Sequence, residues 1–168
     1  MNVRGVFRPG MRAYFIPLAA GVTLAISVFL PWVVVGGVPL RGFPELAALW
    51  VLGLGALAAV LAALSLITRR NSRHPLLVVG LAALGITYLS LRIMPRLAGA
   101  RARTVAEAFA IVENRSLDEV PAASAGNGLY VGLAASAVIV GFGLTIVIRR
   151  ASAPYVVSDP NDDVPGDV

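Results

Sequence analysis

The chain has no cysteine, no lysine and only one histidine, His74. Without thiols it can form no disulfide, zinc–thiolate site, iron–sulfur cluster or covalent c-type haem. One histidine excludes a bis-histidine haem held by this chain alone. His74 precedes Pro75 in a short basic link and reads as a residue at a helix start, so no Ser/His/Asp set can be built inside an apolar segment. Charge is equally scarce. Only 14% of the 168 residues are charged, against about a quarter in water-soluble domains. No Asp, Glu or Arg falls between Arg12 and Arg41, Glu45 and Arg69, Arg73 and Arg92, or Glu119 and Arg149. Ion-coupled carriers and proton relays generally need an acid inside a span, and none is present. No phosphate-cradling glycine loop occurs either.

Apolar sequence fills the space left by these absences. Hydrophobic residues make up 58% of the chain and mean hydropathy is +0.82. A soluble fold of this length has too little interior to bury that much apolar surface. Four apolar runs, at about 15–35, 47–67, 76–94 and 129–148, each reach roughly 30 Å as a helix, the thickness of a hydrocarbon core. Backbone groups in lipid must bond internally, which favours helices for such runs. The expected fold is all-α: an integral membrane four-helix bundle spanning 15–148. Residues 1–14 are expected as an N-terminal tail and 149–168 as a flexible acidic one. The first run exceeds a usual signal-peptide core and lacks a small-x-small cleavage site, so it is expected to be a retained span.

All 14 basic residues are arginine, and they set the expected orientation. Arg4, Arg8 and Arg12 precede the first run, Arg69, Arg70 and Arg73 link the second and third, and Arg149 and Arg150 follow the fourth. The positive-inside bias places these on the cytoplasmic face, with both termini inside and the chain multi-pass in the plasma membrane. The first outer loop, 36–46, then holds only Arg41 and Glu45. The second, 95–128, carries four charges of each sign. Arginines at the ends of apolar runs read as membrane anchors, so the high pI is not taken as a sign of nucleic-acid binding.

Within the second outer loop, Thr104-Val105-Ala106-Glu107 matches a capping box. Val105, Ala108, Phe109 and Val112 share a helical face. These features predict a short amphipathic helix at about 104–116, on the outer surface or over the bundle mouth.

Small residues at four-residue spacing, Gly55, Ala59 and Ala63 in the second run and Gly128, Gly132 and Ser136 in the fourth, are candidate helix-packing faces. Trp32, Trp50 and Tyr130 sit near the outer ends of their runs, where an aromatic belt forms. Arg92, near the outer end of the third run, is expected to snorkel to the interface. No catalytic, cofactor-binding or metal-ligating residue stands out.

The segments Phe29-Leu30-Pro31-Trp32, Gly36-Gly37, Gly42-Phe43 and Gly126-x-Gly128-Leu129-Tyr130 are similar to those of small four-span membrane proteins of bacteria. The lysine-free, arginine-rich composition resembles high-GC lineages. The resemblance covers most of residues 15–148 and implies a four-span architecture; it carries over no activity and no functional residue.

The leading expectation is a non-enzymatic accessory or structural subunit of a larger membrane complex, with no cofactor, whose partners are the bilayer and a membrane protein or further copies of itself. A carrier or channel component for a neutral solute would need a path built from Thr23, Ser27, Ser65, Thr87, Ser90, Ser136 and Thr145. An outer-face lipid-modifying enzyme would need Glu107, Glu113 or Asp118 to converge with Arg92 or Arg96.

Overall fold

Pro31 and the valines that follow it decide where the first apolar run changes character. Proline fixes its own φ and disfavours helix in the residue before it, while Val33, Val34 and Val35 favour a pleated strand. In the computed structural model the helix α1 spans only Phe15–Ser27, after a 3-10 turn at Arg12–Tyr14. The structure describes residues 12–68, 73–113 and 121–151, with backbone only for 12, 73 and 146–151. The expected tails at 1–11 and 152–168, the Arg69-Arg70 link and the loop residues 114–120 lie outside the described residues.

Strand β1, Pro31–Val35, turns back through Gly36-Gly37 into β2, Val38–Arg41. Both glycines have positive φ, 55° and 82°. A two-residue loop of this kind matches the right-handed twist of a hairpin and strongly favours glycine. The expectation of a single helix over 15–35, and of an all-α fold, is therefore corrected. A third strand, β3 (Ala123–Ala125), pairs antiparallel with β1 to give the order β2-β1-β3.

Three further helices complete the described residues: α2 (Leu46–Thr68), α3 (Arg73–Glu113) and α4 (Asn127–Ala151). The chain is mostly helical. These three helices are long and apolar enough to cross a membrane. At about 1.5 Å per residue, α2 reaches roughly 35 Å and α1 only about 20 Å. Only 28% of the most apolar window of α2 is buried. Ile16, Val22, Leu57, Val60, Ile67, Val78, Leu81 and Val138 all face outward. That much contiguous apolar surface is far beyond what a water-soluble monomer tolerates, and it fits lipid.

The helices form a ring, α1 and α3 each packing on α2 and α4. Glycine sets the closest approach. A Cβ on Gly21 would lie 2.7 Å from the Ala59 nitrogen, and one on Gly55 would lie 2.8 Å from the Ala25 nitrogen, so the α1 and α2 backbones nearly touch. Between α3 and α4, Gly80 meets Ile139 and Val140, and Gly143 meets Leu77. Continuing this antiparallel register puts the start of α4 level with Ile93 and Met94.

Beyond that level α3 runs on past the other helices, packing first on β1 and β3. The expected separate helix at 104–116 is corrected: α3 is one helix through Pro95 and on to Glu113. Thr104 does not cap a helix start. Its hydroxyl donates to the Ala100 carbonyl at 3.1 Å, a mid-helix bond. Glu107 instead accepts from Arg103 Nε at 2.7 Å. The Ala, Leu and Arg residues between Pro95 and Thr104 are good helix formers and carry the helix past Pro95 and Gly99 into the box. The segment from Pro95 to Glu113 adds about 19 residues, roughly 28 Å, past the bundle end.

Candidate binding cleft at the sheet end

Ser27 and Trp32 build the junction between bundle and sheet. The last carbonyls of a helix lack intrahelical donors, and that of Ser27 accepts from the Leu30 amide at 3.2 Å and the Trp32 indole at 3.0 Å. Trp32 is 1% exposed. Its ring lies against Gly42 and Gly128, where any Cβ would come within 2.8 Å of it. The expectation that Trp32 serves as a surface anchor is corrected: it is core, held by the hairpin folding back over it. Gly126 donates to the Trp32 carbonyl at 2.8 Å, which ties β3 and the start of α4 to the same point.

On one side of this junction a cleft of about 380 Å³ opens between the hairpin and α3. Met94, Leu97, Ala98 and Val105 of α3 form one wall. Val33, Val35 and Leu40 form the other, with Trp32 at the base. Three charged residues also line it: Arg41, Glu45 and Arg101. Arg41 stands at the base of the hairpin, opposite Pro31 in the β1–β2 register. Glu45 immediately precedes α2. None of the three side chains hydrogen-bonds or ion-pairs with a described residue. The cleft is thus apolar in its walls and carries two positive charges and one negative one.

The other sequence-selected residues fall in distinct places. Gly55 and Ala59 pack on α1, and Gly128 and Gly132 pack on the α1–β1 junction; Gly132 faces Ser27 and Thr87. Ser136 is buried and Ala63 half-buried. Trp50 and Tyr130 are exposed, one turn into α2 and α4 respectively. Arg92 lies over the Tyr88 ring, 5.7 Å from its centroid. These three residues mark one level, at the base of the sheet.

The hydroxyls spend their donors locally. Ser27, Ser65, Thr87, Ser136 and Thr145 each donate to a carbonyl three or four residues back on their own helix. Ser90 is buried, and Thr23 faces outward. Of the three acids, Glu107 and Glu113 stand well away from Arg92 and Arg96 along α3. Glu107 pairs with Arg103 and stands roughly 16 Å along the helix from Arg96 and 22 Å from Arg92. Glu113 lies farther along the same helix, and Asp118 lies outside the described residues. No group of three metal-ligating side chains occurs among the described residues.

The sequence marks Arg41 and Glu45 as the charges of a short loop and does not single out Arg101. The signal that brings them together is the Val-Val-Val-Gly-Gly-Val stretch, which makes the hairpin. Comparison with protein-family models, curated proteins and solved structures finds no match for this chain.

Proposed function

We propose that the chain is a non-enzymatic integral membrane protein acting as an accessory or structural subunit of a larger membrane complex. The observation that supports this most is the exposed apolar surface toward the far end of α3. From Ala106 to Glu113 the only charges are Glu107 and Glu113. Phe109 is 63% exposed, Ile111 80% and Val112 82%. These residues project past the bundle, where lipid does not cover them by depth alone. Exposed apolar patches of this kind mark interaction surfaces.

In this reading the chain crosses the plasma membrane four times with both termini in the cytoplasm. The short α1 completes its crossing together with the hairpin base and the turn at Arg12–Tyr14. Arginine placement supports the orientation. Its cysteine-free sequence makes topology directly measurable. In intact cells Thr104→Cys should react with a membrane-impermeant maleimide and Ser72→Cys should not; the opposite pattern would reverse the orientation.

The docking reading is tested by purification in mild detergent with mass spectrometry of the intact assembly. A second chain or a defined homo-oligomer is expected. A monodisperse lone monomer that retains native lipids would overturn it.

A further inference from the structure

The cleft between the hairpin and α3 sits where the bundle ends. Met94, at its lower edge, is level with the start of α4, and Trp50, Tyr130 and Arg92 mark the aromatic and basic belt expected at a headgroup layer. The polar layer on each side of a bilayer is only some 5–8 Å deep. Arg41, at the hairpin base, falls within it. The Arg101 backbone lies about 10 Å up α3 from Met94, just above this layer, and long helical side chains lean back toward the helix N-terminus, which is the direction of the headgroups. The apolar lining of the cleft thus begins at the lipid level of Met94, and Arg41 and Arg101 line it at and above the headgroup level.

We propose that this cleft binds the headgroup of an anionic phospholipid from the adjoining leaflet. Arg41 and Arg101 hold the phosphodiester, and the glycerol end with its first methylenes lies along Leu40, Met94 and Leu97. Guanidinium groups match phosphate oxygens through paired, charge-assisted hydrogen bonds. Neither arginine spends its donors on a described residue. The charge of the cleft selects among lipids. Two arginines and Glu45 leave one net positive charge, which complements a singly charged headgroup, and the Glu45 carboxylate opposes a second negative charge. This inference rests on membrane insertion of the bundle and not on the docking of a partner at the α3 end.

The test measures thermal stability and lipid retention of the whole chain in neutral detergent. Phosphatidylglycerol should raise the melting temperature by several degrees and be retained as one tightly held copy. Phosphatidylcholine should give no such shift, nor should inorganic phosphate. Arg41→Gln and Arg101→Gln should each weaken phosphatidylglycerol binding about tenfold, the loss of one strong contact. Arg103→Gln, the same charge change outside the cleft, should leave it unchanged. Glu45→Gln should tighten binding, a gain that misfolding could not produce. Equal stabilisation by phosphatidylcholine would overturn the proposal, as would full reproduction by inorganic phosphate. Unaltered binding in both arginine variants would do the same, and so would a Glu45→Gln variant that binds no better than the parent.

Discussion

Two regions of this molecule obey opposite rules. Below the level of Trp50 and Tyr130, apolar side chains point outward as well as inward, and Gly21 and Gly55 bring two helix backbones into contact. Above that level, a hairpin and the α3 arm that packs beside it surround a cleft that carries charge. The bundle is held by close backbone approach in the absence of a hydrophobic drive between helices. The cap is organised by one buried indole and the backbone bonds around it. The contrast teaches that the cap is not an appendage, because Trp32 is shared by α1, β1 and the start of α4.

That sharing yields the largest predicted effect. Trp32→Ala removes the ring that Gly42 and Gly128 enclose and leaves a cavity at the junction. Large aromatic truncations in cores cost about 3–5 kcal/mol. Unfolding followed by circular dichroism in detergent should show the bundle and cap losing stability together in one transition. If the helical signal keeps its parent midpoint, the cap is independent of the bundle and the comparison above fails.

The next effect belongs to the bundle. Gly21→Val places a side chain against the backbone of Ala59 and Gly55, which has no rotamer to yield. Overpacking of this kind costs about 1–3 kcal/mol or more. Gly53→Ala is the internal control, because a Cβ there meets nothing within 4 Å and alanine is the better helix former. Two glycines on neighbouring helices, both in apolar runs, should thus respond with opposite signs in a melting experiment. Equal responses would remove the α1–α2 contact as the organising feature.

Toward the far end of α3 the expected change is in association, not in folding. Phe109→Ser combined with Val112→Ser touches no buried contact, and surface substitutions of this sort shift stability by at most about 0.5 kcal/mol. Recovery of any co-purifying chain should fall at least about tenfold while the melting temperature holds. Undiminished recovery would move the docking surface elsewhere on the molecule.

How much of this was legible in the sequence differs between the same two regions. Helices α2 and α4 lie where unbroken apolar runs of about twenty residues placed them, because length and hydropathy together leave lipid-spanning helix as the economical solution. The run from Phe15 to Val35 has the same hydropathy but two structures. Hydropathy reports burial or lipid contact, not backbone geometry, and the deciding residues were Pro31, the three valines and Gly36-Gly37. Thr104 and Glu107 show the converse error. A capping box stabilises a helix start only where the chain arrives non-helical, and here it arrives already wound. The cleft was illegible because Arg41 and Arg101 are far apart in sequence. They share a cavity only once the hairpin folds toward α3.

The smallest effect is the most diagnostic of where the α3 arm lies. Arg103 and Glu107 form an exposed pair, with side chains 67% and 43% accessible. An i,i+4 pair in water is worth about 0.3–0.5 kcal/mol. The basic residue comes first here, the weaker order relative to the helix dipole, so the value belongs at the low end. Glu107→Gln should therefore change stability by no more than about 0.5 kcal/mol, and the change should fade as salt is added. That holds if the arm stands in water. Were it to lie against lipid or a permanent partner in detergent, the pair would be desolvated, and removing one member would leave a charge uncompensated at a cost of several kcal/mol. A small, salt-sensitive loss thus places the arm of α3 in water and leaves its apolar tip open for docking. A large, salt-insensitive one would put the arm against membrane or protein and shrink the difference between cap and bundle.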